Sequence, residues 1–131
     1  MSAAKMGQGV LPERVKQMFD AITVGDMTAM KNCFSNDASI WHGVTKASVT
    51  VDQAAEVLGS LSEISNSVSY QDQRVASIGN EMFVQHRLCA DLKSGKKLDL
   101  PAMMYIVVND EGLVTNIEEY YDSRATDCLV E

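Results

Sequence analysis

SVSYQDQRVASIGNEMFVQHRLCADLKSGKKLDLPAMMYIVVNDEGLVTNIEEYYD, residues 67–122, decides the architecture. Segments 67–78, 82–92, 97–109 and 113–122 are β-branched or alternating in polarity. Between them, Gly79-Asn80, Ser94-Gly95 and Asn109 to Gly112 supply turn chemistry. Four strands joined by short turns predict an antiparallel meander.

Upstream the period is helical. Pro12 suits a first helical turn, Glu13 faces the positive end of the helix dipole, and Val15, Met18, Phe19 and Ile22 recur at helical spacing up to Gly25. Asp26 is placed to cap a second helix carrying Met27, Met30, Cys33 and Phe34. Asn36-Asp37 breaks that pattern, Ser39-Ile40-Trp41 reads as a short strand, and a loop follows through Gly43 and Lys46. Thr50 and Gln53 have capping-box spacing ahead of a third helix with Ala54, Val57, Leu58, Leu61 and Ile64. Helices first and a meander second predict an α+β fold, with three N-terminal helices packed on a strongly curved antiparallel sheet that forms a cone around an apolar pocket. Residues 1–9 read as a flexible tail, 10–123 as a single domain, and 124–131 as a C-terminal tail that either covers the pocket mouth or stays disordered.

The chain of 131 residues suits one domain, and 46% hydrophobic against 22% charged residues places it among globular rather than disordered sequences. Net charge is −7 and no basic cluster is longer than Lys96-Lys97, which argues against nucleic acid and anionic membrane as partners. No apolar run approaches the roughly 18 residues of a spanning helix, and the N-terminal stretch is too short for a signal peptide, so a cytoplasmic protein is expected. Cys33, Cys89 and Cys128 are odd in number and widely spaced, which suits a reducing compartment. His42 and His86 lack metal-ligand spacing, so neither metal nor cofactor is expected.

The order of elements, the VGD turn at Val24 to Asp26, the NDAS stretch at Asn36 to Ser39 and the closing GLVTNIEEYYD at Gly112 to Asp122 resemble the nuclear transport factor 2-like, or ketosteroid isomerase-like, superfamily over residues 12–122. Leu100-Pro101 and the closing stretch are similar to limonene-epoxide-hydrolase-type members. Laid onto this chain, that family's arginine falls on Arg87, its second aspartate on Glu119 and its first on Cys89. Its water-holding tyrosine and asparagine fall on Ile40 and His42, so the set is broken. A ketosteroid-isomerase-like alignment places His42 at the general base and Met18 where a tyrosine would donate to an oxyanion. SnoaL-like polyketide cyclases belong to the same superfamily, which hosts many chemistries.

Strand alternation groups Arg87 with Phe83, Gln85, Cys89 and Asp91, and His86 with Val84, Leu88 and Ala90. Ile117, Glu119 and Tyr121 share a face of the last strand. Parity alone does not say which faces turn inward. The resemblance selects those of Arg87 and Glu119, together with Ile40 and His42 on the first strand. On that selection His42, Glu119 and Arg87 form an acid–base set. His42 acts as base, Glu119 orients it or serves as a second acid, and Arg87 holds Glu119 ionised or polarises a substrate oxygen. Met18, Ile40, Trp41, Cys89, Met103, Tyr105, Ile117 and Tyr121 are the expected substrate contacts.

Structural readings stand beside these. His42 could bond a loop carbonyl, Arg87 and Glu119 could be an inter-strand ion pair, and Cys89 a small buried hydrophobe. His86 reads as surface or interface. The expected function is a cofactor-independent acid–base enzyme acting on a small apolar oxygenated substrate: an isomerase, cyclase, dehydratase or epoxide-hydrolase-like enzyme. The alternative is a non-catalytic ligand-binding or dimerisation module, and the resemblance implies a homodimer in either case.

Overall fold

A computed structural model of the protein describes residues 9–130, so the tail expected over 1–9 lies, Gly9 apart, outside the described residues. Helix α1 (Glu13–Val24) buries Val15, Met18, Phe19, Ala21 and Ile22, the stripe its spacing predicts. Gly25 ends it at φ 77°, a left-handed conformation that glycine adopts without steric cost. A Cβ at Gly25 would also run into the Ser62 hydroxyl. The chain then turns at once into α2 (Met27–Lys31), where the Asp26 carboxylate accepts the Ala29 N–H at 3.0 Å. Helix α3 (Val51–Glu63) opens with the expected capping box: Thr50 Oγ1 accepts from the Gln53 N–H at 3.1 Å, and Gln53 Oε1 accepts from the Thr50 N–H at 2.9 Å.

Strands β1 (Phe34–His42), β2 (Ala47–Thr50), β3 (Ser65–Ile78), β4 (Glu81–Leu92), β5 (Lys97–Val108) and β6 (Val114–Tyr121) form one sheet in the order β2-β1-β6-β5-β4-β3. The meander from β3 to β6 is antiparallel, whereas β1 joins β6 in parallel. Two boundaries differ from expectation. Helix α2 stops at Lys31, and Phe34 already pairs with Val114. The next pair is Ser39 with Asn116, so residues 35–38 are carried as a bulge in the ladder rather than as a break. Residues 47–50, between the expected loop and the third helix, form the short edge strand β2 against Ser39 to His42.

The sheet is curved and unclosed, with the helices on its concave side. Val15, Met18, Phe19 and Met30 pack there against Val84, Met104, Ile106 and Ile117 in the main core. Side chains of this kind contribute roughly 1.5–3 kcal/mol each on burial, which is what holds helices and sheet together. A second cluster, Leu61, Ala90, Leu92, Leu98 and Leu100, receives Ala125, Cys128 and Leu129 from a 3-10 helix at Ser123–Leu129. Asp122 caps that turn by accepting the Arg124 N–H at 3.0 Å. Among the described residues no helix is long and apolar enough to cross a membrane.

Candidate functional site

Residues paired across neighbouring strands share a face, so the register sorts every candidate. Ile40 pairs with Ile117 and His42 with Glu119, while Ile106 and Met104 of β5 pair with the same two β6 residues from the other side. Because Ile106 and Met104 are core residues, His42 and Glu119 lie on the concave face. Gly43 follows directly, and its N–H donates to the Glu119 carbonyl at 2.8 Å. A Cβ at Gly43 would lie 2.8 Å from the Tyr120 ring, so this close passage needs a residue without a side chain. Held this way, His42 Nε2 stands 3.4 Å from Glu119 Oε1, with the side chains 24% and 21% exposed. Tyr121 presents its ring edge-on to His42, 6.3 Å between centroids.

Further along the same face lies an aromatic group. Tyr70, His86 and Phe19 meet edge-on, with centroids 4.7 Å apart for Tyr70–His86, 4.8 Å for Phe19–Tyr70 and 5.5 Å for Phe19–His86. The charge of Glu119 reaches it. Burial, and then Glu119, hold the Tyr70 phenol well above its ordinary range, and the same two causes raise Tyr121. Burial pushes His86 below the usual imidazole value while Glu119 opposes the shift. At neutral pH the Tyr70 and Tyr121 phenols therefore stay protonated and the His86 imidazole neutral on this face. Two buried atoms there, Gln73 Nε2 and His86 Nδ1, have no hydrogen-bond partner.

Arg87 is not part of this group. It lies on the convex face, donating Nε and Nη2 to Asp99 at 3.0 Å each and Nη1 to Asp72 at 2.7 Å. Cys89 and Met103 share that face; Tyr105, also there, donates to Glu81. Trp41 packs edge-on against Tyr120 on the same side, 5.5 Å between centroids. The reason is the composition of β4. Met82, Val84, Leu88, Ala90 and Leu92 occupy one face with His86, while Glu81, Gln85 and Asp91 occupy the other with Arg87, and the apolar face is the one that is buried. His86, expected at the surface or an interface, is 3% exposed and packed in the interior of the chain. Placing the resemblance's arginine on Arg87 is thus one residue out of phase with the pleat, and a one-residue slip exchanges faces. The positional clue was present, since His86 is the one polar residue on an apolar face. Met18, Ile40 and Ile117 lie in the core behind the site, with Tyr121 at its edge. Among the described residues no group of histidine, cysteine, aspartate and glutamate is placed to hold a metal ion.

No protein-family model matches the sequence, and no curated protein does. Solved structures do. A hypothetical protein with a ketosteroid isomerase-like fold from Catenulispora acidiphila, in complex with trimethylamine, gives a TM-score of 0.74 at 16% identity, over 88% of this chain and 90% of its own. An NTF2-like protein of unknown function from Cytophaga hutchinsonii gives 0.69 at 14% identity, over 93% and 96%. A candidate SnoaL-like polyketide cyclase from Shewanella denitrificans gives 0.73 at 10% identity, over 90% and 94%. The chain has the nuclear transport factor 2-like, or ketosteroid isomerase-like, fold. At such identities the likeness is one of fold.

Proposed function

We propose that the concave face is a cofactor-independent acid–base site for a small apolar oxygenated molecule, with His42 as the base and Glu119 as the group that orients it. The observation that carries this reading is the pair itself: Nε2 and Oε1 3.4 Å apart, each side chain about a fifth exposed, so both are reachable while set in a largely apolar wall. An imidazole titrates near neutrality, and a carboxylate beside it steadies the imidazolium that forms when a proton is taken. Removing a proton from a carbon next to a carbonyl and returning it elsewhere is common to isomerisation, cyclisation and dehydration. Epoxide hydrolysis by two carboxylates and an arginine has less support, because the Arg87 and Cys89 positions face outward. The fold neighbours named as polyketide cyclases are compatible with this chemistry, and the neighbour in complex with trimethylamine supports a small-molecule role.

The test is the exchange of α-protons of 1-indanone in deuterated buffer, followed by NMR. The wild type is expected to accelerate it, and His42→Ala to lose about 10²–10⁴ of that acceleration, the usual contribution of a positioned base. A ketone that binds but exchanges at the buffer rate would make this a binding module instead. A homodimer is compatible with either reading. Phe83, Met103 and Tyr120, 48%, 37% and 50% exposed on the convex face, support pairing of two copies there, which light scattering would check.

A further inference from the structure

We infer that the C-terminal turn at Ser123–Leu129 is a hinged cover over the mouth of the concave site, opening to admit a ligand and closing over it. This concerns access to the site proposed above and rests on that reading.

The ladder shows where the turn sits. Leu98, Leu100, Ala102, Met104 and Ile106 run along the concave face of β5. Glu119 pairs with Met104, and Tyr121 and His86 both pair with Ala102, so the candidate groups occupy the middle of this row. Beyond Ile106 the row ends against α1 and α2, whose Val15, Met18 and Met30 are wholly buried. In the other direction it ends at Leu100 and Leu98, where Leu61 of α3 packs and the turn lays down Ala125, Cys128 and Leu129. Tyr121 belongs to this second cluster and also presents its ring edge to His42, so the turn rests on the residue that borders the site.

The two ends are held differently. None of the seven residues of the turn is buried. Among the described residues, every hydrogen bond of 123–130 stays within that segment or goes to Asp122. The Ala125 N–H donates to the Asp122 carbonyl at 3.0 Å, Thr126 Oγ1 to the Ser123 carbonyl at 2.6 Å, and Arg124 Nη2 to the Asp122 carboxylate at 3.2 Å. The turn is therefore able to swing about Asp122 with its own bonds intact, giving up only the contacts of three apolar side chains. Such contacts are non-directional, and segments with few of them lie at the low-stability end of local opening. Helix α1 has no such freedom, because moving it would expose the main core. A cover that closes over a bound molecule also excludes water from His42 and Glu119.

The test is the rate at which N-ethylmaleimide labels each cysteine of the native protein, read by peptide mass spectrometry with and without 1-indanone, while His42 NMR signals report binding. Cys128 rides on the turn, Cys89 lies on the convex face and Cys33 is buried, so one chain carries the reporter and two references. With 1-indanone at about ten times its Kd, Cys128 labelling is expected to slow roughly tenfold, because the ligand opposes the opening, and Cys89 labelling to stay unchanged. Leu129→Ser, which weakens the seat, should speed Cys128 labelling in the free protein and both association and dissociation of 1-indanone, while the urea midpoint moves little; the wild-type comparison stands even if the variant misfolds. Cys128 labelling as slow as that of Cys33, and following global unfolding, would make the turn a fixed part of the core and overturn the inference. If 1-indanone moves His42 signals while Cys128 labels at an unchanged rate, the cover falls and the acid–base reading stands. If Cys128 is protected while His42 signals stay unmoved, the cover stands and the acid–base reading falls. If neither responds at millimolar concentration, both fall.

Discussion

The two faces of one sheet use their polar residues in opposite ways. On the convex face, Arg87 places three N–H groups on Asp72 and Asp99, Lys97 meets Asp91 at 2.8 Å, and Ser67 donates to the same Asp91 at 3.2 Å. The arginine lies over an open depression of about 230 Å³, with its partners in contact with solvent. On the concave face the polar groups are fewer and less satisfied: His42 and Glu119 stand 3.4 Å apart, and Gln73 and His86 each leave an atom unpaired. Density of charge is therefore a poor guide to a site here. A network whose members answer one another has no bond left for a ligand, whereas a sparse buried set lacks partners that a ligand could supply.

The largest effect that could break this contrast is on packing. Ile106→Ala, on the concave face at 0% exposure, is expected to cost about 2–5 kcal/mol in urea unfolding. Met103→Ala, three residues earlier and turned outward, should cost less than about 1 kcal/mol. Equal losses would mean that the faces are wrongly assigned.

A smaller effect comes from protons. Burial lowers the pKa of His86 below its unfolded value of 6.5, so the unfolded chain binds a proton more readily than the native one. Stability from this source is complete above 6.5 and falls as pH drops through 6.5 toward the native value, by at most about 1.4 kcal/mol per pH unit for one proton. On the convex face, hydrogen bonds from Lys97 and Arg87 hold Asp91 and Asp99 below their usual value of 3.8, so their contribution survives until pH falls further. Unfolding midpoints measured between pH 7 and pH 5 should decline in the wild type and decline less in His86→Phe. An unchanged slope in the variant would remove His86 from the buried set.

Local signals carried most of the fold. Periodicity, the Asp26 cap, the Thr50–Gln53 box and the turn glycines were enough to place all three helices and the four meander strands. Phe34 escaped because its spacing continues the helical stripe, while its partner Val114 lies eighty residues away in sequence, a distance that local pattern does not cross. The parallel pairing of β1 with β6 is hidden for the same reason, and it is this pairing that brings His42 to Glu119. Half of the expected set, His42 with Glu119, was therefore placed on one face only through the resemblance. The other half failed where the same resemblance was preferred to the binary pattern of β4, which by itself separates the apolar face of His86 from the polar face of Arg87. Gln73 carried no signal, since its inward aim depends on the bulge that sets Asp72 and Gln73 opposite His86 and on the left-handed conformation of Asp72.

Arg87→Met should be the quietest of these substitutions. It removes a cation from two carboxylates that are 70% and 56% exposed, and water can take over the bonds they lose. The unfolding midpoint should move far less than in Ile106→Ala, and the Asp99 carboxyl, now held low by its bonds to the guanidinium, should titrate closer to an ordinary aspartate. The sharper readout is on the other face. Asp72 loses the contact that pins the bulge outward, yet the ladder pairs on either side, Gln71 with Arg87 and Arg74 with Gln85, are made by backbone and remain. The amide signal of Gln73 and the ring signals of His86 should accordingly stay where they are, and 1-indanone should bind as it does to the wild type. Movement of those signals would show that the convex network sets the geometry of the concave one. Arg87 would then be a positioning residue acting through the bulge, and the independence of the two faces would be lost.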